Sequence, residues 1–218
     1  LDIFNLFVVF LQDILTFFYN FTSTFGLANY GTAIILLTIA IKMLLYPLTA
    51  KQVKSMKAMQ ELQPKMKEMQ EKYKDNPEKL QKEMTAMYKE TGVNPLAGCL
   101  PLIVQMPILI GIFYAIRDYT YLNPPPDFLW IADLARPDLT YILPVLSALT
   151  TYIQQKQTTA EVTQQTKMMM IFMPLFIGYI SITFPAGLVL YWVISNVVQI
   201  AQQWWMYRQP QQPNGEAA

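Results

Sequence analysis

Histidine is absent from the 218 residues, and Cys99 is the single cysteine. Without histidine there is no His-based catalytic relay and no zinc site of the common kind, and one thiol cannot close a disulfide within the chain. Cys99 lies in an apolar stretch and reads as a small buried residue. Glycine is also scarce, at 8 residues, and no Gly-rich phosphate-binding loop is present. Acidic residues are missing from the five long apolar runs between Gly31 and Trp205, which removes the paired carboxylates or metal ligands that an intramembrane protease needs. The expectation is a protein that is not an enzyme and holds no metal and no cofactor.

What the chain has instead is apolar length. Hydrophobic residues make up 53% and charged residues only 14%, and ten of the 16 Lys and Arg residues lie between Lys51 and Lys89. That is the balance of a membrane protein with one strongly polar part. Gly31 to Ala50, Leu96 to Ile116, Leu139 to Gln154, Met168 to Phe184 and Gly187 to Trp205 are each apolar over about the 20 residues a bilayer-crossing helix requires. They lack the two-residue alternation of barrel strands, so the fold class is all-α, a polytopic membrane protein with a five-transmembrane-helix core. Pro101, Pro107, Pro144 and Pro174 fall inside these runs and predict kinks.

The organisation expected is an amphipathic helix at the outer surface over 1–25, spans at 26–50, 96–116, 139–154, 168–184 and 187–205, and a cytoplasmic helical hairpin over 51–95. An extracytoplasmic loop over 117–138, a cytoplasmic loop over 155–167 and a cytoplasmic tail over 206–218 complete it, with 1–25 as a sixth span the alternative. Placing the Lys-rich connection in the cytoplasm also puts Lys156, Lys167 and Arg208 there, which gives an N-out, C-in orientation.

In the hairpin, Met59, Leu62, Met66, Met69 and Tyr73 step by three and four, "DNP" interrupts, and Leu80, Met84 and Met87 resume the pattern. Asp75 or Asn76 can cap the second helix, with Pro77 in its first turn. The methionines either hold the two helices together or leave an adaptable surface that recruits apolar partners, with Met59, Met66, Met69, Met84 and Met87 as the candidates.

The spans themselves carry polar stripes. Thr38, Lys42, Tyr46 and Thr49 share a helical face in the first, and Trp192, Ser195, Asn196, Gln199 and Gln203 repeat at three and four in the last. Gln105 and Ser147 supply further walls. Such groups avoid lipid tails and face one another or a water-filled cavity. Lys42 is nine residues, about 13 Å, from the Lys51 boundary, too deep for simple snorkelling, and no span residue can neutralise it. It is either a cation that locks the bundle or one held for a visiting anion.

"NPLAGCLPLIVQMPILIGIFYAI" from Asn94, "GLVLYWVISN" from Gly187, and a basic residue in the span before a Lys-rich hairpin resemble the YidC-type membrane protein insertases, a family with mitochondrial and thylakoid relatives. The resemblance runs from about Leu1 to Arg208. It implies a five-helix core around a hydrophilic groove that opens to the cytoplasm and lipid. In that groove Lys42 attracts acidic or polar parts of a client, with Gln105 and Trp192 on the wall. Bacterial members commonly have Arg at the place of Lys42; lysine keeps the charge without the planar fork.

The function expected is a membrane protein insertase and chaperone that moves short polar segments of clients across the bilayer while their apolar segments enter lipid. The partners implied are nascent membrane proteins and the lipid bilayer, with the Sec translocon a further candidate. Ribosome contact through the short, nearly uncharged tail is weak or absent, and no specific nucleic acid is expected. The localisation is the bacterial cytoplasmic membrane. The alternative is a small-solute transporter or anion channel that uses Lys42 as its binding charge, and a factor that only chaperones inserted helices is a third reading.

Overall fold

The structure, a computed structural model, describes residues 2–26, 28–93, 100–121, 127–159 and 164–208. Cys99 and the tail beyond Arg208 lie outside them. All the regular structure described is helical: α1 Ile3–Ser23, α2 Tyr30–Leu44, α3 Tyr46–Lys72, α4 Pro77–Thr91, α5 Leu100–Arg117, α6 Ile142–Thr158, α7 Gln164–Ser181 and α8 Ala186–Arg208.

The first apolar run is not one helix. α2 stops at Leu44, and α3 leaves it at an angle of 62°. Pro47, in the first turn of α3, has no N–H to return to the Met43 carbonyl, and its ring crowds that carbonyl. The same α3 then runs on as the first arm of the hairpin, so span and hairpin are joined through a bend. Among the described residues α1 alone is long and apolar enough to cross a membrane as a single helix; α2 and α3 meet that test only together.

The hairpin forms as its pattern indicates. Asn76 accepts a hydrogen bond from the Lys79 N–H at 3.0 Å at the start of α4, and Gly92 ends it in the left-handed conformation that a side chain would disfavour. Leu62, Met66 and Met87 form a small core of their own, with Met59, Met69, Met84, Tyr88 and Val93 packed on it. The methionines thus join the two arms, and Met66 and Met87 are buried. Met59, Met69 and Met84 are half-buried, so part of their surface stays open beside the joined arms.

The main core sits at the end of the bundle far from the hairpin. Val8, Leu11 and Leu15 of α1, Ala33, Ile34 and Leu37 of α2, Ile112 and Ile116 of α5, and Leu188 to Tyr191 of α8 meet there. The segment before α6 plugs that end: Ile131 and Leu134 join the core, and the carbonyls of Arg136 and Leu134 accept the Ala186 and Gly187 N–H groups at 2.7 and 2.9 Å. The first N–H groups of a helix have no partner within it, so α8 is capped by the plug. Gly187 makes this approach possible, since a Cβ there would lie 3.2 Å from Ile116, Ile34 and the Leu134 carbonyl.

Asp138 ties the plug to α6. One carboxylate oxygen accepts the Thr140 N–H and hydroxyl at 3.0 and 2.6 Å, and the other accepts the Leu143 N–H at 2.8 Å. Burial opposes its charge, yet these hydrogen bonds prevail and hold the carboxyl below the usual carboxylate range. A carboxyl with a lowered folded pKa contributes stability that is present above its unfolded value of about 3.9 and is lost as pH falls through the folded value. Asp138→Ala is therefore expected to cost about 1–2 kcal/mol at neutral pH, the usual worth of a helix cap. In melting experiments the gap between variant and native protein should close as pH drops below about 4.

Candidate functional site

Along α2, α6 and α8 the buried side chains change character from the plugged end to the hairpin end. On α2, Ala33, Ile34 and Leu37 give way to Thr38 and Lys42; on α8, Leu188 to Val193 give way to Ser195, Asn196, Gln199 and Gln203; on α6, Leu143 gives way to Ser147, Thr150 and Thr151. The interior is apolar in one half and polar in the other.

Lys42 is the charge of the polar half, 5% exposed in the last turn of α2. Its Nζ donates to Gln199 Oε1 at 2.8 Å and, more weakly, to Gln105 Oε1 at 3.4 Å. Gln105 Nε2 donates to the Tyr191 hydroxyl at 2.7 Å, which turns the amide oxygen toward the cation. The Lys42 carbonyl accepts from Gln202 Nε2 at 3.3 Å, and Thr38, fully buried one turn earlier, returns its hydroxyl to the Ile34 carbonyl at 2.7 Å. Three helices, α2, α5 and α8, thus converge on one ammonium group through neutral amides. Hydrogen bonds to a charged group contribute about 1.5–3 kcal/mol each, enough to hold the chain in place but short of cancelling the charge.

A second polar set joins α8 to α6. Asn196 Nδ2 donates to Thr150 and Thr151 at 3.2 and 3.1 Å, and Trp192 Nε1 donates to Thr151 at 3.0 Å. Ser147 meets Ser181 of α7 at 2.9 Å. For Asn196, Trp192 and Ser147 the structure thus shows interhelical fastening. Toward the hairpin end the polar groups are not all satisfied. Among the described residues, Gln203 is fully buried with neither side-chain atom paired, and the Oε1 atoms of Gln155, Gln157 and Gln202 are likewise buried and unpaired. Each such group costs about 1–3 kcal/mol.

Of the residues expected at the site, Lys42, Thr38, Gln105 and Gln199 come together, and Ser195 is buried on α8 one turn before Gln199. Tyr46 does not join them. It lies past the bend, where the face it would share with Lys42 on a straight helix has turned away, and it is exposed. Tyr191, Thr150, Ser181 and Gln202 take part without having been marked by polar spacing; Tyr191 is four residues before Ser195 on the same stripe, the one signal that could have found it. The hairpin base is fastened beside this polar end. Lys57 Nζ donates to the Met206 carbonyl at 2.9 Å and lies 5.0 Å from the centre of the Tyr207 ring, and Gln60 reaches the Gln157 carbonyl at 3.4 Å.

Apolar helices around a buried polar interior, capped by a charged hairpin, define a helical membrane protein. The chain matches the family model described as 60Kd inner membrane protein over residues 20–213, and it belongs to that family. The membrane protein insertase YidC of Nitratidesulfovibrio vulgaris is 40% identical over 206 residues, covering 91% of this chain and 37% of that protein. YidC of Syntrophus aciditrophicus is 43% identical over 195 residues, covering 89% and 35%. A crystal structure of an active YidC insertase superposes with a TM-score of 0.72 at 29% identity, covering 88% of this chain and 45% of the other. The chain thus spans little more than a third of the length of these curated relatives.

Proposed function

We propose that the chain acts as a membrane protein insertase: its polar half receives a short polar segment of a client while the client's apolar segment slides into lipid. The observation that carries this reading is Lys42, a buried cation held, among the described residues, only by neutral amides and so able to meet an anionic group that enters from the hairpin end. The unpaired glutamine atoms toward the hairpin end support it, because a segment with its own amide groups can satisfy them and a dry bundle does not. The plug between Phe128 and Tyr141 supports a site that opens to one side only. The hairpin lies in the cytoplasm, N-out and C-in, and α1 rests at the outer surface. No covalent chemistry is needed, since burial of the client's apolar segment supplies the driving force.

The test is insertion of a small single-span client into liposomes that contain only this protein. Protease protection of the translocated segment is expected to exceed that in empty liposomes at least fivefold, with no accompanying leak of small anions. Equal protection with and without the protein overturns the reading.

A further inference from the structure

The two side chains that hold Lys42 are both glutamines, and glutamate has nearly the shape of glutamine. A carboxylate at either position would hold the ammonium more tightly, yet α2, α5, α6, α7 and α8 contain no Asp or Glu at all. We propose that Gln199 is a positioning and selectivity residue: it fixes the Lys42 ammonium by a neutral hydrogen bond and so keeps the positive charge available to carboxylate-bearing client segments. This rests on the insertase reading.

The geometry divides the work between the two amides. Gln105 is pinned by Tyr191, so its oxygen stays directed at Nζ, and at 3.4 Å it holds the group loosely. Gln199 makes the short bond, 2.8 Å. An entering carboxylate can displace the Gln199 oxygen from Nζ, and a half-turn of that amide then presents its NH2 to the same carboxylate. A glutamine therefore serves the site both empty and filled. A glutamate would occupy Nζ itself and repel the arriving group.

Gln199→Glu separates this role from a merely structural one. With two clients that differ only in an acidic or uncharged translocated segment, the variant is expected to lose at least tenfold in insertion of the acidic client. That loss should exceed the loss for the neutral client at least fivefold, while the melting temperature stays level or rises. Gln199→Met, which removes the acceptor without adding charge, should cost the acidic client only about two- to threefold. Insertion of the acidic client by Gln199→Glu within twofold of the native protein overturns the proposal, as does an equal loss for both clients. Should Gln199→Glu not fold, Gln105→Glu is read in the same assay; failure of both to fold also overturns it, since the site must accommodate a carboxylate beside Lys42. Binding of a fluorescent acidic peptide to the detergent-solubilised protein provides an arm that does not depend on insertion. Tenfold weaker binding by Gln199→Glu supports the proposal even if the native protein inserts neither client, and unchanged binding overturns it.

Discussion

Lys42→Glu is expected to reduce insertion of a client with an acidic translocated segment tenfold or more, without a matching fall in melting temperature. The fold should survive because Gln199, which no second partner pins, can turn its NH2 group toward a carboxylate as readily as it turns its oxygen toward an ammonium. The site's charge, however, changes sign. Two like charges about 4 Å apart repel by about 4 kcal/mol at an effective dielectric constant of 20, more than enough for a tenfold effect. Lys42→Arg should retain function, Lys42→Ala should fall between, and a client with an uncharged segment should be affected least. If Lys42 instead locks the bundle, every client should suffer equally and the melting temperature should fall in step; insertion of both clients measured beside the melt of each variant decides the matter.

Gly178→Leu is expected to detach α7. A Cβ at Gly178 would lie 2.9 Å from the Ala148 Cβ and 3.3 Å from the Pro144 carbonyl, so even one added carbon crowds α6, and a leucine cannot be fitted without parting the two helices. α6 is the helix against which α7 packs extensively, and the Ser147–Ser181 hydrogen bond crosses the same contact. In lipid there is no hydrophobic force to press helices together, so close approach of small residues carries the association. The cost should reach about 3 kcal/mol, the upper part of the overpacking range, and Gly178→Ala should cost less. Thermal unfolding in detergent and proteolysis of the α6–α7 connection would both report it; a leucine variant as stable as the native protein would mean that α7 does not depend on this contact.

Much of this architecture is legible in the residues alone, and the places where it is not share a cause. The hairpin follows from local chemistry, because a three-and-four apolar step broken by Asn76 and Pro77 has few other solutions. The meeting of Lys42, Gln105 and Gln199 follows from the cost of polar groups in lipid. The bend at Leu45 escapes a reading by hydropathy, because the apolar run continues past Pro47; the rule applied to Pro101, Pro107, Pro144 and Pro174 reveals it when extended to Pro47. With the bend unseen, Tyr46 falls by helical spacing on the face of Lys42, whereas it is exposed. The methionine stripe could not decide between an inner and an outer use until the two arms were brought together. Asp138 is invisible for another reason: its value depends on N–H groups two and five residues ahead whose direction only the folded chain sets.

The division of the interior into an apolar half and a polar half also shapes the electric field. From Tyr30, at the plugged end of α2, to Thr38, where buried polar groups begin, is eight residues, or about 12 Å of helix. The hydrocarbon core of a bilayer is about 30 Å thick. On the insertase reading a client fills the polar half with polarisable groups, which sustain little voltage drop, so most of the membrane potential would fall across the short apolar section. Moving one charge through the full potential still yields about 2.3 kcal/mol per 100 mV, but the work is delivered over less than half the distance. On that reading, with the hairpin in the cytoplasm, an acidic residue waiting beside Lys42 would stand at the foot of a steep, short field and be pulled outward by more than twice the force it would feel in plain bilayer.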